Sequence, residues 1–476
     1  MSVEWSLIPA YLFLIKKSGN IMTRFEKHLV IVGGNAAGLS AGRRARRNDS
    51  NLKITVLEKS NVVSYGACGL PYYISDVISQ KEELIALPLE ALLNDGIDVK
   101  TNHEVIEINP KNKTIVVKSA TSSLQTVHYD KLVLATGARP LLPDLPGIDL
   151  EGVHTIRSLE GAAALKQELQ SGRHKSAVIV GGGYIGLEMA EALTKQGVKV
   201  SVIEQQPQVL PYIDSEMAAL VQQSLIEHGV TVKTSTTAQR ILGDGSVSGV
   251  ETHTGEVLNC SLVIVAIGVK PNVEIAQKAG IALGASGAIR VDDHLRTNVM
   301  NIYAAGDCTE VKNIVTNKYD YIPLGTTANK QGRVAGDNAS GKRSRFPGVV
   351  GTSAVKVFNL EIGRAGITEK EASRLRLPVK SVTIKGRSRA GYFPGGSSVT
   401  VKLIFDFLTG RLLGAQMIGR EGVAKRLDVF STALQQKLTV QQISELDLSY
   451  APPFAPVWDP ILIAANQAQK QVINNW

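Results

Sequence analysis

Cysteine is scarce in this chain: three in 476 residues, Cys68, Cys260 and Cys308, with no C-x-x-C pair and no metal-ligand spacing. That excludes a disulfide-stapled scaffold, gives no metal to expect, and points to a reducing, cytoplasmic setting. No apolar run is long enough to span a bilayer. The apolar stretch from Leu7 to Ile15 is interrupted by Pro9 and followed, not preceded, by Lys16 and Lys17, which is not the order of a secretory signal. Aromatic residues make up only 5% and do not interleave with the basic ones, so a net charge of +9 does not read as a nucleic-acid surface. An anionic small molecule accounts for the charge as well. Arg43, Arg44, Arg46 and Arg47 form its densest cluster, either a solvated helix face or a phosphate grip.

What is present is a repeated pattern. The apolar run His28 to Val32 leads into Gly33-Gly34-Asn35-Ala36-Ala37-Gly38 and a helical stretch, and a second strand, Leu52 to Leu57, ends at Glu58, twenty residues past Gly38. A dinucleotide-binding βαβ unit places glycines where a pyrophosphate meets a helix N-terminus and an acid where the ribose lies. The pattern restarts 148 residues later: strand Ala177 to Val180, Gly181-Gly182-Gly183-Tyr184-Ile185-Gly186, helix, then strand Val198 to Ile203 ending at Glu204. Here Gly181, Gly183 and Gly186 complete G-x-G-x-x-G. A carboxylate at Glu204 accepts a free 2′-hydroxyl and repels a 2′-phosphate, so this second site prefers NADH, with NADPH as the alternative. One fixed flavin and one visiting nicotinamide explain two such units in one chain.

Between and beyond these units the chain reads as a helix around Leu84 to Leu93, a polar β region from Asn102 to Val127, a strand Lys131 to Ala135, and a linker crowded with Pro140, Pro143 and Pro146. The strand ending in Gly306-Asp307 follows. Val399, Val401, Leu403 and Phe405 then alternate with Thr400, Lys402 and Ile404 before a turn at Thr409-Gly410, which predicts a hairpin in an α+β unit without nucleotide signature. The length itself predicts about three domains. Residues 1–26 precede the first recognisable element, and Met22 offers an alternative start of translation.

The stretch Ser64-Tyr65-Gly66-Ala67-Cys68-Gly69-Leu70-Pro71 sets one cysteine between glycines at the mouth of a predicted helix, with Pro71 suited to its first turn. A helix N-terminus favours the thiolate, the nucleophilic form. Cys260 and Cys308 read as structural.

Together these residues resemble the flavoprotein disulfide reductases with two dinucleotide-binding domains, and within them the coenzyme A disulfide reductase group. The resemblance implies an α/β fold: an FAD-binding domain (27–145 and 272–347), an NAD(P)H-binding domain (146–271) and a C-terminal α+β dimerisation domain (348–476), hence a homodimer. It implies FAD contacts at Gly33, Gly34, Ala37, Gly38, Glu58, Gly306 and Asp307, and domain-crossing turns at Thr136-Gly137 and Gly268. Glu188 resembles the acid near the nicotinamide, and Tyr184 the aromatic gate over the flavin. Tyr392 and Tyr450 resemble tyrosines that reach the neighbouring subunit's cysteine, and Ser40, Arg44, Arg47 and Ser64 resemble positions that contact coenzyme A. Members with a redox pair spaced C-x-x-x-x-C carry a cysteine where Tyr73 stands, so a single-cysteine mechanism on a small disulfide or persulfide is implied. Ala67 replaces the Asn common before the cysteine in the group, which keeps coenzyme A disulfide and persulfides both open. NADH oxidases and peroxidases, which cycle a cysteine sulfenic acid, place a His where Ala36 stands and form the alternative reading.

Overall fold

The computed structural model describes residues 27–473, and the expected extension, residues 1–26, lies outside the described residues. Two five-stranded parallel sheets follow one plan. The first runs Ile302–Ala304, Lys131–Leu134, His28–Val32, Lys53–Leu57, Asp98–Lys100. The second runs Thr231–Lys233, Lys199–Ile203, Ser176–Val180, Leu262–Val265, Val153–His154. Their central strands are near-continuous Val, Ile and Leu because both faces are covered. Each fingerprint glycine loop turns the chain from a central strand into a helix, Ala36–Asn48 in the first unit and Tyr184–Lys195 in the second. The two loops share their local geometry: Gly33 and Gly181 both have a φ of 112°, and a Cβ on Gly38 or Gly186 would fall 1.9 or 2.0 Å from the carbonyl oxygen of Gly33 or Gly181. Only glycine permits that approach of helix to strand.

The chain crosses between the units on two short strands, Ala138–Pro140 and Val269–Pro271, which pair antiparallel. The polar region after residue 102 forms a three-stranded antiparallel sheet, Glu104–Asn109, Thr114–Lys118 and Leu124–His128. The helix expected around Leu84 to Leu93 is corrected: a 3-10 turn, Lys81–Leu84, is separated from a helix, Leu89–Asn94, by Pro88, whose ring and missing N–H stop a continuous helix.

The C-terminal unit is a five-stranded antiparallel sheet ordered Ser353–Val357, Leu360–Gly366, Leu412–Gly419, Ser398–Asp406, Val379–Arg387. The predicted hairpin is its centre. Both faces of its first strand are buried, Val399, Val401, Leu403 and Phe405 on one and Thr400, Lys402 and Ile404 on the other. Helices Val423–Gln435 and Pro460–Gln469 cover one side. On the other, Lys402 reaches Asp214 of the second unit at 3.1 Å, and also Glu216 and Glu369. Three carboxylates offset the cost of burying one ammonium. The architecture is therefore α/β, two Rossmann-like units with a C-terminal α+β unit. No helix among the described residues is long and apolar enough to cross a membrane.

Candidate active site

Cys68 sits in a single 3-10 turn, Ala67–Gly69, that runs into a five-residue helix, Leu70–Ile74, with Pro71 in its first turn. The approach to it is stitched on both sides. Ser64, at φ 58°, donates its N–H to Gly34 O at 3.0 Å and accepts from Ala86 N at 2.7 Å, and Gly66 N donates to Leu84 O at 2.8 Å. The first glycine loop thus fixes where the cysteine segment starts. Cys68 is exposed, whereas Cys260 and Cys308 are buried, and burial pushes the Cys260 thiol up to about 11. Tyr73, five residues past Cys68, is buried.

The thiol environment differs from the expectation of a thiolate made by a helix end. Surrounding protein pushes the Cys68 thiol up, Glu188 and then Asp307 push it further, and Arg157 acts in the opposite sense. A five-residue helix has too few aligned peptides to outweigh two carboxylates. Glu188 is itself pushed up to about 7, first by burial and then by Glu191 one turn along its helix. Glu191 is held charged by Lys195 at 2.7 Å and Lys356 at 2.6 Å.

Arg157 is a residue that the sequence reading missed. Its guanidinium lies 3.5 Å from the Asp307 carboxylate, its carbonyl accepts from the Tyr65 hydroxyl at 3.0 Å, and Tyr321 donates to Asp307 O at 2.9 Å. No local pattern around Ile156-Arg157-Ser158 marks it, because its partner is 150 residues away. Burial raises the Asp307 carboxyl, and Arg157 opposes that shift.

Glu58 and Glu204, the acids past the two strands, are placed alike. Glu58 accepts the Gly34 N–H at 2.7 Å and the Ser60 N–H at 2.8 Å; Glu204 accepts the Gly182 N–H at 2.7 Å and the Gln206 N–H at 2.7 Å. A Cβ on Gly183 or on Gly268 would meet nothing within 4 Å, so open space lies over the N-terminus of the second fingerprint helix. In the first unit Gly306, at φ 85°, passes so near Ala37 that a Cβ would lie 2.8 Å from that methyl, and Thr136 donates to Asn272 O at 2.6 Å beside Gly137. A glycine loop at a helix N-terminus with an acid just past the next strand in each unit, and the open space over the second helix, fit one dinucleotide apiece. Tyr184 is tied by its hydroxyl to Ser353 Oγ at 3.0 Å and stacks on Tyr212 with centroids 5.7 Å apart.

The remaining candidates are less unified. Ser40 donates to Asn329 Oδ1 at 2.8 Å, and Arg44 pairs with Asp337 at 2.6 Å, so Arg44 already has an anionic partner within the protein. Arg43 pairs with Asp95 and Arg46 donates to Gly96 O, while Arg47 is exposed. Ser64 is buried. Tyr392 and Tyr450 meet each other at 2.9 Å on loops of the C-terminal unit that also expose Phe454, Val457 and Trp458.

Two dinucleotide cradles and one exposed, unpaired thiol define a thiol oxidoreductase that works with a flavin and a nicotinamide. Residues 27–332 match the pyridine nucleotide-disulphide oxidoreductase family and residues 352–460 match its dimerisation domain. The chain belongs to the pyridine nucleotide-disulphide oxidoreductases, and its cofactors are FAD and NAD(P)H. It is 39% identical to the CoA-dependent NAD(P)H sulfur oxidoreductase of Pyrococcus abyssi over 93% of this chain and 98% of that one. It is 36% identical to an NADH oxidase of Methanocaldococcus jannaschii over 94% and 99%. The crystal structure of reduced Bacillus anthracis CoADR-RHD aligns with a TM-score of 0.92 at 37% identity, covering 94% of this chain and 81% of that one.

Proposed function

We propose that this enzyme reduces coenzyme A disulfide, or a related disulfide or persulfide, using NADH in preference to NADPH and Cys68 as its only reactive thiol. The observation that carries the reading is the pairing of an exposed Cys68 with a buried Tyr73 five residues on, so that no second cysteine is in reach and the substrate must supply the other sulfur. The flavin would be held by Gly33, Gly34, Ala37, Gly38, Glu58, Thr136, Gly137, Gly306 and Asp307 within residues 27–145 and 272–347. The nicotinamide would be held by Gly181, Gly183, Tyr184, Gly186, Glu188, Glu204 and Gly268 around residues 146–271.

In the reaction the Cys68 thiolate attacks one sulfur of the substrate disulfide, forming a Cys68–substrate disulfide and releasing the other half as a thiolate. Tyr450, hydrogen-bonded by Tyr392, gives that thiolate a proton across a homodimer interface formed by residues 348–476. Glu188, poised near neutrality, holds a proton beside Cys68 and in its neutral form no longer repels the thiolate. The chemistry that FAD supplies when bound is passage of the NAD(P)H electron pair to the Cys68 sulfur, which frees the second thiol. Arg47 with Ser40 and Ser64 would meet the anionic part of coenzyme A; Arg44 serves there only if it leaves Asp337. We place the enzyme in the reducing cytoplasm, in keeping with its unpaired cysteines.

A second reading, an NADH oxidase cycling a Cys68 sulfenic acid, is favoured by the NADH oxidase relative and opposed by Ala36 in the first glycine loop. Intact mass of protein purified without reductant separates the two. Loss of one coenzyme A on adding dithiothreitol, absent in Cys68→Ser, supports the proposal. A single-oxygen addition on Cys68 favours the oxidase, and a sulfur-sized addition removed by dithiothreitol points to a persulfide substrate.

A further inference from the structure

The short helix that follows Cys68 does not hold its own position. Five residues cannot sustain an isolated helix in water, so Leu70–Ile74 takes its place from its contacts. Those contacts belong to the other half of the enzyme. Leu70, Tyr73, Ile74 and Leu84 are buried in one cluster with Leu159, Leu165, Leu169 and Leu187, residues of helix Leu159–Gln170 and the second fingerprint helix.

Polar contacts converge on the same place. Lys166, of helix Leu159–Gln170, is buried; its ammonium lies 4.1 Å from the Tyr73 ring centroid, 2.6 Å from Asp76 Oδ1 and 3.1 Å from Ser79 O. Gln196, capping the second fingerprint helix, donates to Asp76 Oδ2 at 2.8 Å. Asp76 turns the chain at φ 60°, a conformation that a non-glycine residue holds only where its surroundings demand it. The ammonium thus grips the segment after Cys68 at three points: the aromatic face of Tyr73 on the helix, and the Asp76 carboxylate and Ser79 carbonyl just beyond it.

We infer that Lys166 is a positioning residue for Cys68: with Tyr73, Asp76 and Gln196 it clamps the segment that follows Cys68 to the nicotinamide-binding half. This rests on the reading of Cys68 as the nucleophile. The clamp acts through the helix and does not touch the reacting sulfur. Its loss leaves both dinucleotide cradles intact but lets the thiol wander, and a displacement near 1 Å at a reacting centre costs about a hundredfold in rate at the extreme.

The test uses the full-length, FAD-loaded protein with Lys166→Met, Lys166→Arg and Cys68→Ser. Three quantities are read: the rate of Cys68 alkylation by iodoacetamide across pH, followed by peptide mass; kcat and KM for NADH with coenzyme A disulfide; and NADH-driven reduction of ferricyanide, which needs no thiol. Lys166→Met should cut the disulfide kcat by about tenfold or more, change the Cys68 alkylation rate by about threefold, and leave ferricyanide reduction and the KM for NADH within about twofold. Lys166→Arg, which keeps the cation, should bring both the disulfide kcat and the Cys68 alkylation rate most of the way back to the wild-type values. An unaltered alkylation profile, or an equal fall with disulfide and ferricyanide, overturns the inference and makes Lys166 a stability residue only. If Lys166→Met does not fold, Asp76→Asn, whose side chain is half exposed, must shift alkylation in the same direction or the inference fails. Full disulfide turnover by Cys68→Ser would instead defeat the proposed function, leaving the clamp to be judged by alkylation alone.

Discussion

The hydroxyl oxygens of Tyr392 and Tyr450 lie 2.9 Å apart, so that one phenol donates to the other across 58 residues of sequence. That bond is the first cause raising the Tyr450 phenol above its ordinary value. A higher value keeps Tyr450 protonated, the state needed to give a proton to a departing thiolate. Tyr392→Phe should therefore let Tyr450 ionise at lower pH, read by ultraviolet difference titration. Tyr450→Phe should lower kcat with coenzyme A disulfide by about a hundredfold, within the range for losing a general acid.

Glu188 should control when Cys68 can react. Its negative charge raises the Cys68 thiol, so Glu188→Gln should move the alkylation midpoint of Cys68 to lower pH. Its effect on stability has the opposite sense from that of a salt-bridged acid. The folded value near 7 lies above the unfolded one, so the folded state binds the extra proton and stability falls as pH rises from about 4.5 to about 7. Glu188→Gln should thus raise Tm more at pH values above 7 than at pH values near 4.5, checked by thermal scans across that window.

Gly183 and Gly186 should respond differently to the same methyl group. A Cβ on Gly183 meets nothing within 4 Å, so Gly183→Ala should keep its Tm while raising the KM for NADH by about tenfold, because the methyl fills the pyrophosphate cradle. A Cβ on Gly186 falls 2.0 Å from Gly181 O, and Gly186→Ala should cost about 1–3 kcal/mol or more of stability. Thermal scans and NADH saturation curves on both variants read the contrast.

Glu204 should set the nicotinamide preference. Removing its carboxylate in Glu204→Ala takes away both the ribose acceptor and the repulsion of a 2′-phosphate. The ratio of kcat/KM for NADH over NADPH should fall by at least about tenfold, measured with either donor at fixed disulfide.

The glycine loops, the acids that follow their second strands and the turn that carries Cys68 were legible in the sequence because each rule they obey is local: a turn, a close approach, a fixed spacing. What escaped was fixed by distant partners. Helix Gly325–Ala339 is rich in glycine and reads poorly as a helix, yet Gly332 and Gly336 let it pack against Ala37 and Ala41 so closely that a Cβ would come within 2.2 or 2.3 Å of their carbonyls. Lys402 reads as the polar face of a strand until Asp214, Glu216 and Glu369 are seen around it. Arg157 and Lys166 carry no local signature, because the partners that give them meaning lie far away in the chain. Pro88, by contrast, was a visible stop that the expected helix from Leu84 to Leu93 ran through.

The most direct test of the central claim is turnover of coenzyme A disulfide by Cys68→Ser, with NADH as donor and FAD bound. The single-thiol account predicts that disulfide reduction is abolished while the variant still binds FAD and is reduced by NADH. Disulfide reduction at the wild-type rate would contradict it.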